Sequence, residues 1–82
     1  MKLPHDLSGG ELTSLLARHG YAVTRQTGSH LRLTSTLKGH EHHVTIPQHK
    51  ALNVGTLNGI LTDVAAYLEM GRAELSHALF GR

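Results

Sequence analysis

Two strand-like segments separated by Thr27-Gly28-Ser29 constrain this chain more than anything else in it. His30 to Ser35 switches between polar and apolar residues, the period of a half-buried strand, and Tyr21 to Gln26 before the turn also reads as a strand. Glycine supplies the backbone conformation that closes a tight turn, so the pair reads as a β-hairpin. A three-residue loop sets Gln26 opposite His30, Thr24 opposite Arg32 and Val23 opposite Leu33. Tyr21, Val23, Leu31 and Leu33 then share one face; Ala22, Thr24, Gln26, His30, Arg32 and Thr34 share the other. A two-residue loop would mix the sets, and burial of one face penalises such a slip. Arg25 is the exception, at an inward position near the sheet end where its stem reaches solvent. Residues 36 to 41 read as a polar connection, and His42 to Pro47 as a third strand. Val44 and Ile46 point inward there, His43 and Thr45 outward, and Pro47 ends it.

Helices flank this sheet. Ser8 is a natural N-cap, Glu11 at N3 completes a capping box, and Leu7 with Leu12 occupies the staple positions. Leu12, Leu15 and Leu16 make the apolar stripe, and Gly20 stands where a C′ glycine ends a helix over residues 8 to 19. Asn53 caps a second helix with the stripe Leu57, Ile60, Leu61, Val64 and Leu68. Gly71 marks a break, and Glu74 to Phe80 forms a short third helix presenting Leu75, Leu79 and Phe80. Helix, three strands, helix, helix implies an α+β fold, with the helices on one sheet face and the other face open. The open face is the one bearing His30, Arg32, His43 and Thr45.

Eighty-two residues suffice for one domain with one modest core, here residues 1–82. The absence of cysteine excludes disulfides and thiolate metal sites and fits a reducing cytoplasm. No apolar run is long enough to span a bilayer, and Met1-Lys2-Leu3-Pro4-His5 has no signal-peptide character, so a soluble cytoplasmic protein is expected. The formal net charge is only +2, but it is unevenly spread. Between residues 18 and 50, Arg18, Arg25, Arg32, Lys38 and Lys50 oppose the single acid Glu41, a local balance of +4. From Ala51 to Arg82 the balance is −1. A basic centre beside a near-neutral tail is the footprint of a surface that meets a polyanion.

The residue matches then become specific. Leu15-Leu16 with Gly20-Tyr21, Arg25-Gln26-Thr27-Gly28-Ser29-His30, Val44-Thr45-Ile46-Pro47, His49, and Gly55-Thr56-Leu57 with Ile60-Leu61 together resemble the HicA family over roughly residues 8 to 68. HicA proteins are the toxin half of HicA–HicB toxin–antitoxin modules. The resemblance implies a double-stranded-RNA-binding-domain-like fold and metal-independent cleavage of mRNA that stops translation. It also implies a HicB-type antitoxin partner that covers the active site, and a catalytic histidine in the Gly-Ser-His motif, here His30. The residues preceding the first helix cap and the histidine-rich connection around residues 40–43 depart from the family pattern.

Chemistry read from the side chains agrees with that role. Metal-free cleavage needs a base for the ribose 2′-hydroxyl, positive charge on the phosphate and an acid for the leaving oxygen; no cofactor is called for. Imidazole titrates near neutrality, so His30 on rigid scaffold can take the proton. Arg32, two residues on, projects from the same face, and its guanidinium suits bidentate phosphate contact. His43 and, behind it, His49 are the candidates for a second acid or base. Arg25, Gly28, Ser29, Arg32, Lys38 and Lys50 are the candidate RNA contacts. His40-Glu41-His42-His43 lacks the His-Glu-x-x-His helical spacing, so no metal site is expected. Two other readings compete: a non-catalytic RNA-binding module using the same basic face, and a protein-interaction domain whose open face or edge receives a partner. Scarce aromatics (Tyr21, Tyr67, Phe80) argue for contacts to phosphate and sugar rather than base stacking.

Overall fold

Ser8 opens the first helix through a reciprocal pair of bonds. Its Oγ accepts from the Glu11 N–H at 3.0 Å, and Glu11 Oε1 accepts from the Ser8 N–H at 2.9 Å. In the computed structural model, which describes residues 6–81, this helix (α1) spans Gly9–Ala17. Met1 to His5 and Arg82 lie outside the described residues. Leu12 and Leu16 are fully buried, with Leu7 beside them in the same core. The helix ends earlier than the stripe implies: Arg18 is the C-cap, and Gly20, at φ +97°, follows it by two positions rather than one.

The sheet has the order β1 (Ala22–Thr27), β2 (His30–Ser35), β3 (His42–Pro47), antiparallel throughout. The hairpin register differs from the sequence expectation. The loop holds two residues, Gly28 and Ser29; Thr27 pairs with His30, Gln26 with Leu31 and Arg25 with Arg32. Of the two loop residues only Gly28 has positive φ, +54°, the pattern of a type II′ turn. A bulge between Val23 and Arg25 absorbs one residue, after which Val23 pairs with Leu33 and Ala22 with Thr34, as the longer loop would have given. The turn alone sets the near pairs, whereas the bulge restores the parity that carries Tyr21 into the core, where it is 3% exposed. Two expectations change as a result. Arg25, paired with Arg32, belongs to the open face and not the inward one, while Gln26 moves to the opposite side. Val23 is 49% exposed despite its inward parity, on the edge strand β1.

Leu31, Leu33, Val44 and Ile46 supply the sheet's half of the core, as alternation requires. The other half is α2 (Val54–Leu68), whose Leu57, Ile60, Leu61, Val64 and Leu68 are all buried. Asn53 Oδ1 caps it by accepting from the Gly55 N–H at 2.7 Å. A third helix, α3 (Arg72–Phe80), begins two residues before Glu74 and buries Leu75 and Leu79, with Phe80 half-buried. The Arg72 guanidinium fastens it to α2 through Asn58 Oδ1 at 2.6 Å and Thr62 Oγ1 at 3.0 Å. The architecture is therefore α+β, one helical layer against one face of a three-stranded antiparallel sheet. No helix among the described residues is long and apolar enough to cross a membrane.

Two features pin the sheet to that layer. At one end, Gly9 lies against the exit of β3: its N–H donates to the His49 carbonyl at 3.0 Å. A Cβ there would overlap the Pro47 carbonyl oxygen, so only glycine permits the approach. At the other end, Tyr67 of α2 is a hub. Its hydroxyl accepts from the Lys38 N–H at 3.0 Å and donates to the His40 carbonyl at 2.6 Å, with the Ser35 carbonyl at 3.3 Å. The His42 ring stacks on Tyr67 at 4.7 Å and 11°, and His40 meets it edge-on at 5.0 Å. The Tyr21 hydroxyl is hydrogen-bonded to His42 Nδ1 at 2.7 Å. Burial pushes the Tyr21 hydroxyl up to about 12, with Tyr67 and Asp63 adding to the effect. Burial also lowers His42 below its ordinary value, with Asp63 opposing that shift. Both directions keep the phenol protonated and the imidazole neutral.

Candidate functional site

The open face is ordered in three rows, each crossing all three strands. The first joins Thr27, His30 and Pro47; the second Arg25, Arg32 and Thr45; the third runs from the bulge residue Thr24 through Thr34 to His43. Successive rows are two residues apart along β2, roughly 7 Å.

His30 owes its fixed position to both neighbours. The tight turn precedes it directly, and the Ser29 carbonyl accepts from the Gln48 N–H at 2.7 Å, tying the turn to the chain leaving β3. The imidazole is exposed on an otherwise rigid strand start, open to a docked strand and not enclosed by the core. Gly28 and Ser29 thus act on His30 through geometry. Nothing lies within 4 Å of a Cβ built at Gly28, so φ is the constraint there, and not space.

In the second row two guanidinium-bearing residues stand directly opposite each other, both exposed. Like charges in cross-strand register oppose folding. The ion pairs among the described residues are Lys38 with Glu69 at 3.8 Å and His43 with Glu41 at 3.4 Å, so neither arginine has a carboxylate partner. A like-charged pair of this kind, one row from an imidazole, is matched electrostatically to a phosphodiester.

The remaining candidates are distributed unequally. His43 shares the face, as strand alternation requires, but it lies opposite Thr34, four residues along β2 from His30, about 13 Å. That separation is too great for both rings to serve one phosphate. His49, ranked second on sequence, follows β3 at the His30 end, where its carbonyl is held by Gly9. Lys50 is its exposed neighbour at that end. Lys38 lies beyond the far end of β2, paired with Glu69, and the fold does not bring it to His30. The histidine-rich segment is divided: His40 and His42 face Tyr67, while His43 faces solvent. No three His, Asp or Glu side chains among the described residues converge as a metal site would require.

Sequence reasoning missed the third row. Thr24 Oγ1 lies 2.8 Å from Thr34 Oγ1, which lies 2.7 Å from His43 Nδ1. The Thr34–His43 pair was implicit in the alternation of the second and third strands; the Thr24 contact depends on the bulge, for which the sequence carries no marker.

Compared with known proteins, residues 9–65 match the family model described as HicA toxin of bacterial toxin-antitoxin. The matched span runs from the first residue of α1 into α2 and includes every row of the open face. Neither a curated protein nor a solved structure matched the chain.

Proposed function

The chain belongs to the HicA family of bacterial toxin–antitoxin toxins, and on that footing we propose that it is a metal-independent endoribonuclease that cleaves mRNA with His30 as catalytic base. The observation that carries this reading is the exposed His30 imidazole, fixed between a two-residue turn and the β3 exit, one row from two arginines that no carboxylate among the described residues neutralises.

Neutral His30 takes the proton of a ribose 2′-hydroxyl. The oxygen attacks the adjacent phosphorus, the bond to the 5′-oxygen breaks, and the products are a 2′,3′-cyclic phosphate and a 5′-hydroxyl end. Arg32, with Arg25 opposite, holds the charge that builds on the phosphoryl oxygens. The leaving 5′-oxygen needs a proton, and His49 is the better-placed donor of the two secondary histidines because it shares the His30 end of the sheet. One placed acid–base group contributes about 10²–10⁴-fold to rate. The basic face, with Lys50 at its margin, meets the RNA backbone. An antitoxin of the HicB type is the partner that covers this face, and the cytoplasm is where both act.

The test uses RNA in the presence of EDTA, with the natural chain and His30→Ala. The natural chain is expected to release cyclic-phosphate ends while His30→Ala does not, both being folded and both retaining RNA affinity. Equal cleavage by the two would exclude His30 as the base, loss of cleavage in EDTA would exclude the metal-free scheme, and affinity without cleavage in either would leave a binding module.

A further inference from the structure

We propose that the Thr24–Thr34–His43 row is a ribose subsite that receives the 2′-hydroxyl of a nucleotide flanking the scissile bond. The inference rests on the RNA-cleaving reading above and deepens it. The row forms a continuous hydrogen-bonded ladder across the sheet, 2.8 Å from Thr24 to Thr34 and 2.7 Å from Thr34 to His43. Thr24 and His43 are exposed, Thr34 half-buried, and all three lie on the face away from the helices.

Glu41 Oε1 lies 3.4 Å from His43 Nε2 at one end of the ladder, and at the other Thr24 Oγ1 donates to the Arg32 carbonyl at 3.4 Å. Each threonine hydroxyl has one proton and two lone pairs, and a ring nitrogen either donates or accepts. Whichever way the contacts run, each threonine oxygen keeps an unused lone pair, and Nε2 is a further polar atom at the ladder's end. A ribose 2′-hydroxyl is both donor and acceptor, so it complements this set. A phosphate does not, because the Glu41 carboxylate stands beside the ring and repels it. The chemistry thus changes along β2: imidazole at His30, cationic at Arg25 and Arg32, hydroxyl-rich at the third row. The row spacing of roughly 7 Å matches the advance of an extended single strand by one nucleotide. A strand lying along β2, with its scissile phosphate between His30 and the arginines, therefore places a flanking ribose on the ladder. Recognition of that hydroxyl distinguishes RNA from DNA at a position separate from the attacking nucleotide.

Binding tests the subsite independently of cleavage. The His30→Ala chain is titrated against a fluorescein-labelled RNA oligomer and against a series carrying one 2′-deoxy substitution at each position in turn, with anisotropy as readout. One flanking position is expected to weaken binding about three- to tenfold, the range of one net hydrogen bond. Adding Thr34→Val or, because Thr34 is half-buried, the exposed Thr24→Val should shrink that penalty to less than about twofold while circular dichroism shows the fold retained. A deoxy penalty of equal size in the ladder variants, or no position with a penalty, would overturn the subsite. Cleavage of the same oligomers by the natural chain reports separately on the ribonuclease reading. A deoxy-sensitive ladder without cleavage would keep the subsite and remove the chemistry.

Discussion

Replacing Tyr67 by phenylalanine removes one oxygen from the centre of the far-end cluster and leaves the ring in place. Tyr67 is 8% exposed, and its hydroxyl serves the Lys38 N–H and the His40 carbonyl. The Ser35 carbonyl at 3.3 Å is too distant to add much. Phenylalanine keeps the stacking on His42 and the edge contact with His40, so the lost energy is that of two hydrogen bonds at about 1 kcal/mol each, about 2 kcal/mol in all. For a domain of this size each kcal/mol moves the melting temperature by roughly 4–8 °C, which gives a fall of roughly 8–16 °C. Thermal unfolding followed by circular dichroism measures it, and urea unfolding should show an unchanged slope with a lower midpoint. The His30 row lies at the opposite end of the sheet, so under the proposed function RNA cleavage per folded molecule should stay close to that of the natural chain below the transition. A melting temperature within about 2 °C of the parent would show that water replaces the hydroxyl without loss, refuting the assignment of Tyr67 as the hub.

Three further outcomes follow from the same structure. Replacing Arg32 or Arg25 by glutamine should weaken RNA binding across sequences and reduce the slope of log affinity against log salt by about one each, while raising stability slightly through relief of the like-charge pair; an unchanged salt slope would exclude phosphate contact. Because His42 is lowered by burial, the unfolded chain binds a proton that the folded chain refuses, so stability is complete above the ordinary histidine value near 6.5 and falls as pH drops through it. The melting temperature should accordingly decline towards pH 5, and His42→Phe should flatten that decline; an equal slope in both proteins would place its source elsewhere. Gly9→Ala should separate the start of α1 from the β3 exit, costing about 1–3 kcal/mol as overpacking and lowering cleavage with it, since Pro47 is the row partner of His30. Full activity and stability in that variant would show the contact to be slack.

How much of this was legible in the linear chain varies from one element to the next. The reciprocal cap at Ser8 and Glu11, the strand limits of His30–Ser35 and His42–Pro47, and the buried stripe of α2 all follow from local rules: a side chain satisfying a nearby N–H, a period of two, a period of three to four. His30 was legible for the same reason, since a glycine-bearing turn and the strand after it are neighbours in sequence. Arg25 was not, because its face depends on a bulge. Turn geometry fixes pairing at one end of the hairpin and burial of Tyr21 fixes it at the other; the odd residue between them must be extruded, and alternation says nothing of where.

The order of the histidines shows the same division. Alternation correctly places His43 on the open face, yet face and distance are separate quantities, and only pairing with β2 puts it four residues from His30 and within reach of Thr34 instead. His49 follows a proline outside any strand and looked the poorer candidate; the contact between Gly9 and the β3 exit returns it to the His30 end. Val23 carries a core residue's parity but stays half exposed on an edge strand. The amino-acid order by itself therefore determined the helices, the strands, the turn and the place of His30 directly after it, since each is set by residues a few positions apart. Which charges face each other, which hydroxyls join and which second ring stands near the first were decided by long-range pairing and packing, because those contacts exist only after distant segments have been brought into register.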